Sequence, residues 1–241
     1  MLKIIVPSAG RFDTLTTNIS GQILVVPNEE IELYKENNCF EIIGHPKLKN
    51  LAEKRNWILD KFDEDLFMID DDALNFVSVF DTFTRDKRNL TPEKTREIIE
   101  KNYFLSKELG VFLYGFGESP VPIQYNGLKP MHSIGTMCGG AYGINKGGKL
   151  KFNTNTTACD SHWINLLNIY LNEKCLIDKR FSIEFQETFK TSGGQASKRT
   201  LLTEKKDTFF LRMQFGEVVE LRKNSRNKQN HEWQRSLKFM R

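Results

Sequence analysis

Residues 66–72 read Leu-Phe-Met-Ile-Asp-Asp-Asp, an apolar run that passes directly into three consecutive aspartates. A continuous rather than alternating apolar stretch suits a strand covered on both faces, as in a parallel sheet with helical crossovers. Open sheets of that kind collect ligands beyond the carboxyl ends of their strands. The triplet at that edge poses an electrostatic problem, because adjacent carboxylates repel unless a cation or hydrogen-bond donors neutralise them. Hard oxygen ligands in this position suit Mg²⁺ or Mn²⁺, with a substrate diphosphate completing the shell. The competing reading is a solvated acidic turn that caps a helix.

The rest of the first half supplies the sheet that the triplet needs. Leu2 to Val6 reads as a buried strand ended by Pro7-Ser8-Ala9-Gly10, Gln22 to Val26 as a second ended by Pro27-Asn28, and Phe40 to Ile43 as a third ended by Gly44-His45-Pro46. Between the third strand and the one before the triplet, Leu48, Leu51, Ala52, Ile58, Leu59 and Phe62 keep a helical period and predict a helix over 47–62. Thr91 followed by Pro92 marks the start of another helix, over 92–109, and a third is expected over 158–171. Strands alternating with helices make this an α/β chain. No repeat or low-complexity linker divides its 241 residues, so one domain is expected over 1–215. A basic extension over 216–241 would pack on it or trail from it. That extension carries Arg222, Lys223, Arg226, Lys228, Arg235, Lys238 and Arg241 against Glu217, Glu220 and Glu232. It reads either as a solvated basic face or as an arm that contacts phosphates.

Arg55 falls on the apolar face of the 47–62 helix, in register with 48, 51/52, 58/59 and 62. A guanidinium directed at the sheet requires an anion, since an unpaired buried charge is very costly. Arg55 therefore either bridges to the aspartates or holds an anionic ligand, and both readings put it beside them. The formal charge of +4 is compatible with an anionic partner without requiring one. No apolar run approaches the roughly 20 residues needed to cross a bilayer, and the N-terminal run is too short for a signal peptide. Cys39, Cys138, Cys159 and Cys175 are scattered without a CxxC pair, as suits reduced thiols in a cytoplasmic enzyme.

With these pieces in place, the chain resembles a GT-A glycosyltransferase of the inverting group. IVPSAGR resembles the strand and loop that open the nucleotide pocket of that fold. KRNWILD followed by DEDLFMIDDDA resembles its RN-bearing helix and DxD-type strand end. CGGAYGINKGG resembles the acceptor-side segment, and TACDSHWINLLNIYLNEKCLIDKRFSI its acidic motif, helix and following strand. The likeness runs over about residues 2–190. The IDDD form and SGGQASKR look most like phage-type, TET-associated glycosyltransferases, which attach sugars to 5-hydroxymethylpyrimidines such as 5-hydroxymethylcytosine in DNA.

The resemblance implies a single GT-A domain with a Rossmann-like, mixed but mostly parallel sheet flanked by helices. It implies a nucleotide-sugar donor, expected to be a UDP-sugar, a Mn²⁺ or Mg²⁺ ion, and double-stranded DNA carrying hydroxymethylated bases as acceptor. Pro7, Ser8 and Arg11 would line the base and ribose pocket, Asp70 would contact ribose or sugar, and Asp72, with Asp70, would meet the metal. Asp71 and Arg55 would belong to the donor site. Gly193, Gly194, Lys198 and Arg199 would close over the diphosphate. Asp160 would be the general base, although Thr157 and Asp160 also have the spacing of a capping box. A histidine that many relatives carry beyond the catalytic helix is absent from 185–189. Tyr125, Tyr142 and Trp163 are candidates to stack on a flipped base, with core packing as their other use.

Three other functions fit parts of this pattern. A sugar nucleotidyltransferase shares the strand-loop-Arg opening, but PSAGR lacks the second glycine and following lysine that grip a triphosphate. A glycosyltransferase with a carbohydrate or lipopolysaccharide acceptor shares the donor site. A nucleic-acid-binding protein with an inactive GT-A fold would keep only the basic tail.

Overall fold

The computed structural model describes residues 1–80, 88–157, 159–186, 200–221, 233 and 235–239. Four parallel strands form its first half: β1 (Leu2–Pro7), β2 (Ile23–Pro27), β3 (Glu41–His45) and β4 (Asp65–Ile69). They lie in the order β3-β2-β1-β4, with Ile5 beside Ile23 on one side and Met68 on the other. The sheet continues through β8 (Ala141–Ile144), β6 (Leu113–Gly117), β9 (Leu176–Phe185) and β5 (Ala73–Ser78), while short β7 (Met131–His132) pairs with β9. β8 runs antiparallel to both β4 and β6, and β5 and β7 antiparallel to β9, whereas β6 and β9 are parallel. Six of the nine strands therefore share one direction, giving a mixed, mostly parallel sheet.

Continuous apolar strands are required here because both faces are covered. Ile4, Val6, Leu24, Val26, Phe67 and Ile69 point to one layer, which includes Tyr34 of α1 (Ile31–Asn37) and Ile98, Ile99 and Tyr103 of α3 (Pro92–Glu108). Ile5, Ile23, Val25, Leu66 and Met68 alternate to the other, against Ala52, Ile58 and Leu59 of α2 (Leu51–Lys61) and Ile164 of α4 (Asp160–Asn172). A third, smaller cluster joins Cys159 and Leu166 to Leu211 of α5 (Leu201–Phe215) and Val219 of β10 (Val219–Leu221), with Leu237 of β11 (Arg235–Leu237) packed against it. The described parts of the 216–241 stretch thus pack on α4 and α5.

Two helix starts differ from expectation. α2 begins at Leu51 rather than Lys47, because the Asn50 side chain caps it by accepting from the Glu53 amide at 2.9 Å. Residues 47–50 are released to line a cleft. Thr157 does not cap α4. Cys159 occupies that position without a side-chain cap, and Asp160 is the first helical residue, so the capping-box reading of Thr157 and Asp160 is overturned. The expected start of α3 holds, with the Thr91 hydroxyl accepting from the Lys94 amide and Pro92 in the first turn. Among the described residues no helix is long and apolar enough to cross a membrane.

Candidate active site

β1 connects to β2 on one side and pairs with β4 on the other, so a crevice must open beyond their carboxyl ends. A cleft of about 630 Å³ occupies that place, lined among others by Ser8, Arg11, Lys54, Arg55, the aspartate triplet and Asp160. Pro7 lies on its wall as well. The backbone of the triplet is fastened from three directions. The Asp70 amide donates to the Gly140 carbonyl at 2.7 Å, the Thr17 hydroxyl donates to the Asp70 carbonyl at 2.6 Å, and the Gln186 amide donates to the Asp72 carbonyl at 3.0 Å. Gly140 must be glycine for this approach, since a Cβ there would stand 2.6 Å from the Phe185 ring and 3.0 Å from Asp70 Oδ2.

The repulsion read from the sequence is met chiefly by arginines. Arg11 donates to Asp71 at 2.6 Å and lies 3.3 Å from Asp72. The Ser8 hydroxyl donates to the other Asp71 oxygen at 2.5 Å. Its single proton being committed there, Ser8 accepts from the Tyr34 hydroxyl at 2.6 Å, and Tyr34 in turn accepts from the Arg11 amide at 3.1 Å. Asp71 therefore fixes the β1 loop, with both oxygens held by protein donors. Burial lifts the Asp71 carboxyl above its usual range, against the pull of Ser8 and Arg11.

Arg55 is 2% exposed and joins two carboxylates, donating to Asp70 at 2.5 Å and through its other terminal nitrogen to Asp160. Its guanidinium also lies 5.4 Å from the ring centre of Tyr142 and 5.6 Å from that of Phe152. Burial works against the Arg55 charge, and Tyr142 and Asp70 more than offset it. Desolvation pushes Asp70 up to about 6, with Arg55 opposing and Asp72 and Asp71 adding to the rise. Tyr142, fully buried, is pushed by burial up to about 12 and belongs to the core. Trp163 packs against Phe210 and Phe215. Neither aromatic is a free stacking platform.

Sequence reasoning missed Lys54. It is 8% exposed, donates to the Ser8 carbonyl at 2.9 Å, and is lowered by burial to about 8 despite Asp71 and Glu30. His45 was also missed. It is 3% exposed on the cleft wall, its Nδ1 is 2.7 Å from the Pro46 carbonyl, and its Nε2 has no hydrogen-bond partner among the described residues. The signal available for both was position alone, one residue before Arg55 and at the end of a strand.

Asp70, Asp71, Asp72 and Asp160 thus share the cleft with Arg11, Lys54 and Arg55, and Glu29, Lys47 and Lys49 line it as well. Among the described residues no group of three or more His, Cys, Asp or Glu is arranged to hold a metal. Within the triplet, Asp72 and Asp70 Oδ2 are less committed to protein donors than Asp71, both of whose oxygens are held. One or two carboxylates suit a Mg²⁺-like ion that arrives with substrate phosphates, and do not suit an ion caged by protein alone. Gly193, Gly194, Lys198 and Arg199 lie outside the described residues.

The same architecture occurs in solved structures. S. aureus TarS 1–349 matches with a TM-score of 0.50 at 10% identity, over 90% of this chain and 72% of TarS. The same TarS segment in complex with UDP-GlcNAc matches with a TM-score of 0.56 at 10% identity, over 88% of this chain and 64% of that one. At such identity the likeness concerns the fold. No curated protein matches the chain by sequence. A family model does: over residues 2–109, from β1 through α3, the chain matches the TET-Associated Glycosyltransferase family, and it carries that sequence on a fold shared with the GT-A glycosyltransferase TarS.

Proposed function

We propose that this protein moves a sugar from a UDP-sugar to a hydroxyl acceptor, that the acceptor is a 5-hydroxymethylpyrimidine in DNA, and that Asp160 is the general base of an inverting displacement. The observation that carries the reading is Arg55 joining Asp70 to Asp160 across the floor of a cleft at the sheet's switch point. An inverting transferase needs its donor site and its acceptor base held at a fixed separation, and one buried guanidinium joins Asp70 to Asp160. The UDP donor is supported by the TarS complex with UDP-GlcNAc. The DNA acceptor is supported by the family match and by the basic stretch after Gly216.

In this reading Asp160 takes the acceptor proton as the hydroxyl oxygen bonds to the anomeric carbon, and the anomeric C–O electron pair leaves with UDP. The hydroxyl becomes acidic only late in the displacement, where a fixed carboxylate is effective. Arg55 orients the Asp160 carboxylate, which lies in the first turn of α4, where the helix N-terminus favours negative charge. Ser8, Arg11 and Pro7 shape the nucleoside end. Asp72, with Asp70, would hold a divalent ion, which when bound offsets charge on the departing diphosphate.

The test is mass spectrometry of hydroxymethylated and unmodified duplexes after incubation with Mn²⁺ and a panel of nucleotide sugars. One glycosyl increment on the hydroxymethylated strand alone is expected, and it should vanish in Asp72→Ala. Pyrophosphate release from a nucleoside triphosphate and a sugar phosphate, with no glycosyl transfer, would instead make the protein a nucleotidyltransferase.

A further inference from the structure

Helix α5 is built inside out. Its buried face carries Glu204, Asp207 and Thr208 beside Leu211, whereas Leu202, Phe209 and Met213 are 59%, 50% and 81% exposed. Burying three polar side chains on one helix face is costly unless each is bonded. Arg235, 6% exposed, donates to Glu204 at 2.9 Å and to the Thr208 hydroxyl at 2.9 Å, tying α5 to β11. Asp207 is turned elsewhere. Its two oxygens accept from the Thr157 amide at 3.1 and 3.3 Å, and Thr157 lines the cleft three residues before Asp160.

Upstream, the segment is held by Asn50 donating to the Thr154 carbonyl at 2.8 Å and by the Thr156 hydroxyl donating to the Asn153 carbonyl at 2.9 Å; next to Asp160 the described bond from α5 is that of Asp207. Cys159 gives no side-chain cap, and the Thr157 amide reaches a partner 50 residues away in sequence. Trp163, one turn along α4, is clasped by Phe210 at 5.7 Å and Phe215 at 5.3 Å between ring centres. Cys159 and Leu166 complete the contact with Leu211 and Val219. The carboxylate of Asp207 therefore fixes the loop that delivers Asp160, and the aromatic clasp fixes the helix that follows it.

We propose that Asp207 is a positioning residue for Asp160, and that α5 with the β10–β11 pair is a brace setting the loop at residues 156–160. This rests on the reading of Asp160 as the base. The brace also links Arg235 of β11, through α5, to that loop.

Three variants test it, with hydrogen exchange over 153–162 read beside kcat, KM and UDP binding. Asp207→Ala should speed exchange at the Thr157 amide and lower kcat by about tenfold to a hundredfold, as a small misplacement of a reacting group does. KM for the donor and UDP affinity should hold. Asp207→Asn keeps an acceptor oxygen for that amide and should recover most of the loss. Ile99→Ala opens the core layer against α3, away from the loop and α5; it should lower the melting temperature and leave kcat unchanged well below the transition. Unaltered exchange near Thr157, or kcat losses that simply follow melting temperature across the three, would overturn the proposal. Full transfer by Asp160→Asn would remove the base assignment instead, while exchange would still report the brace.

Discussion

On one wall of the cleft, Ser8, Arg11 and the aspartate triplet hang from adjacent parallel strands β1 and β4, whose register puts them side by side. On the other wall Asp160 starts a helix whose approach is held by Asp207, from an element added after the sheet is finished. The first wall is redundant: Asp71 has two side-chain donors, and the Asp70 backbone is fixed through both its amide and its carbonyl. The second combines local bonds such as Thr156 to the Asn153 carbonyl with two side-chain ties of long sequence separation, Arg55 to Asp160 and Asp207 to the Thr157 amide. The family match follows the same division, covering 2–109 and stopping well before α4. A sheet edge fixes the geometry of the first wall through backbone register, whereas the wall that carries Asp160 is set by tertiary contacts.

The sharpest way to break this comparison is Asp160→Asn. If the walls are functionally separate, transfer falls by about 10²- to 10⁴-fold, the range for a lost general base. UDP affinity measured by calorimetry should stay at the native value. Loss of UDP binding in the same variant would mean that the walls form one binding unit and that Asp160 belongs to it.

Arg55 is the bond between the walls, and its removal should be felt in stability. Arg55→Met leaves Asp70 and Asp160 facing each other without the shared cation. Removing one partner of a buried ion pair costs about 3–5 kcal/mol, readable in the denaturant midpoint. Because this arginine serves two carboxylates, Arg55→Lys should fall between native and Arg55→Met: a single ammonium is a point charge and cannot reproduce the planar fork. Equal loss in both variants would show that the fork geometry carries the whole effect.

How much of this was legible in the sequence follows the same division. Strands β1, β2 and β4 could be read because burial on both faces writes an uninterrupted apolar run, and the start of α3 because Thr91 and Pro92 have local chemistry. The triplet's place at the sheet edge followed from those strands, and Arg55's location from its helical phase. What the triplet meets did not follow. The Ser8–Tyr34–Arg11 chain and the buried Lys54 depend on β1, α1 and α2 converging, and no local pattern encodes that. The antiparallel insertion of β8 between β4 and β6 is likewise a pairing of distant segments. Helix α5 was not read from the sequence: its buried Glu204, Asp207 and Thr208 lack an apolar stripe to announce them, and they are buried because Arg235 and the Thr157 amide supply their partners.

The smallest expected effect is a pH dependence confined to the first wall. Lys54 titrates at about 8 in the folded protein against 10.5 for an ordinary lysine, because burial disfavours its charge. Between these values the unfolded chain holds a proton that the folded chain has released, so stability without ligand rises as pH rises through this window. An anionic nucleotide beside Lys54 favours the charged form and reverses the trend for binding. UDP affinity should be level below pH 8 and fall above it, by up to about tenfold per pH unit. In Lys54→Met the affinity should be weaker and flat from pH 7 to 9, and the alkaline gain in stability should disappear. A decline above pH 8 that persists in Lys54→Met would place the titrating group on the other wall, and the separation between the two would then fail for the donor as well as for the acceptor.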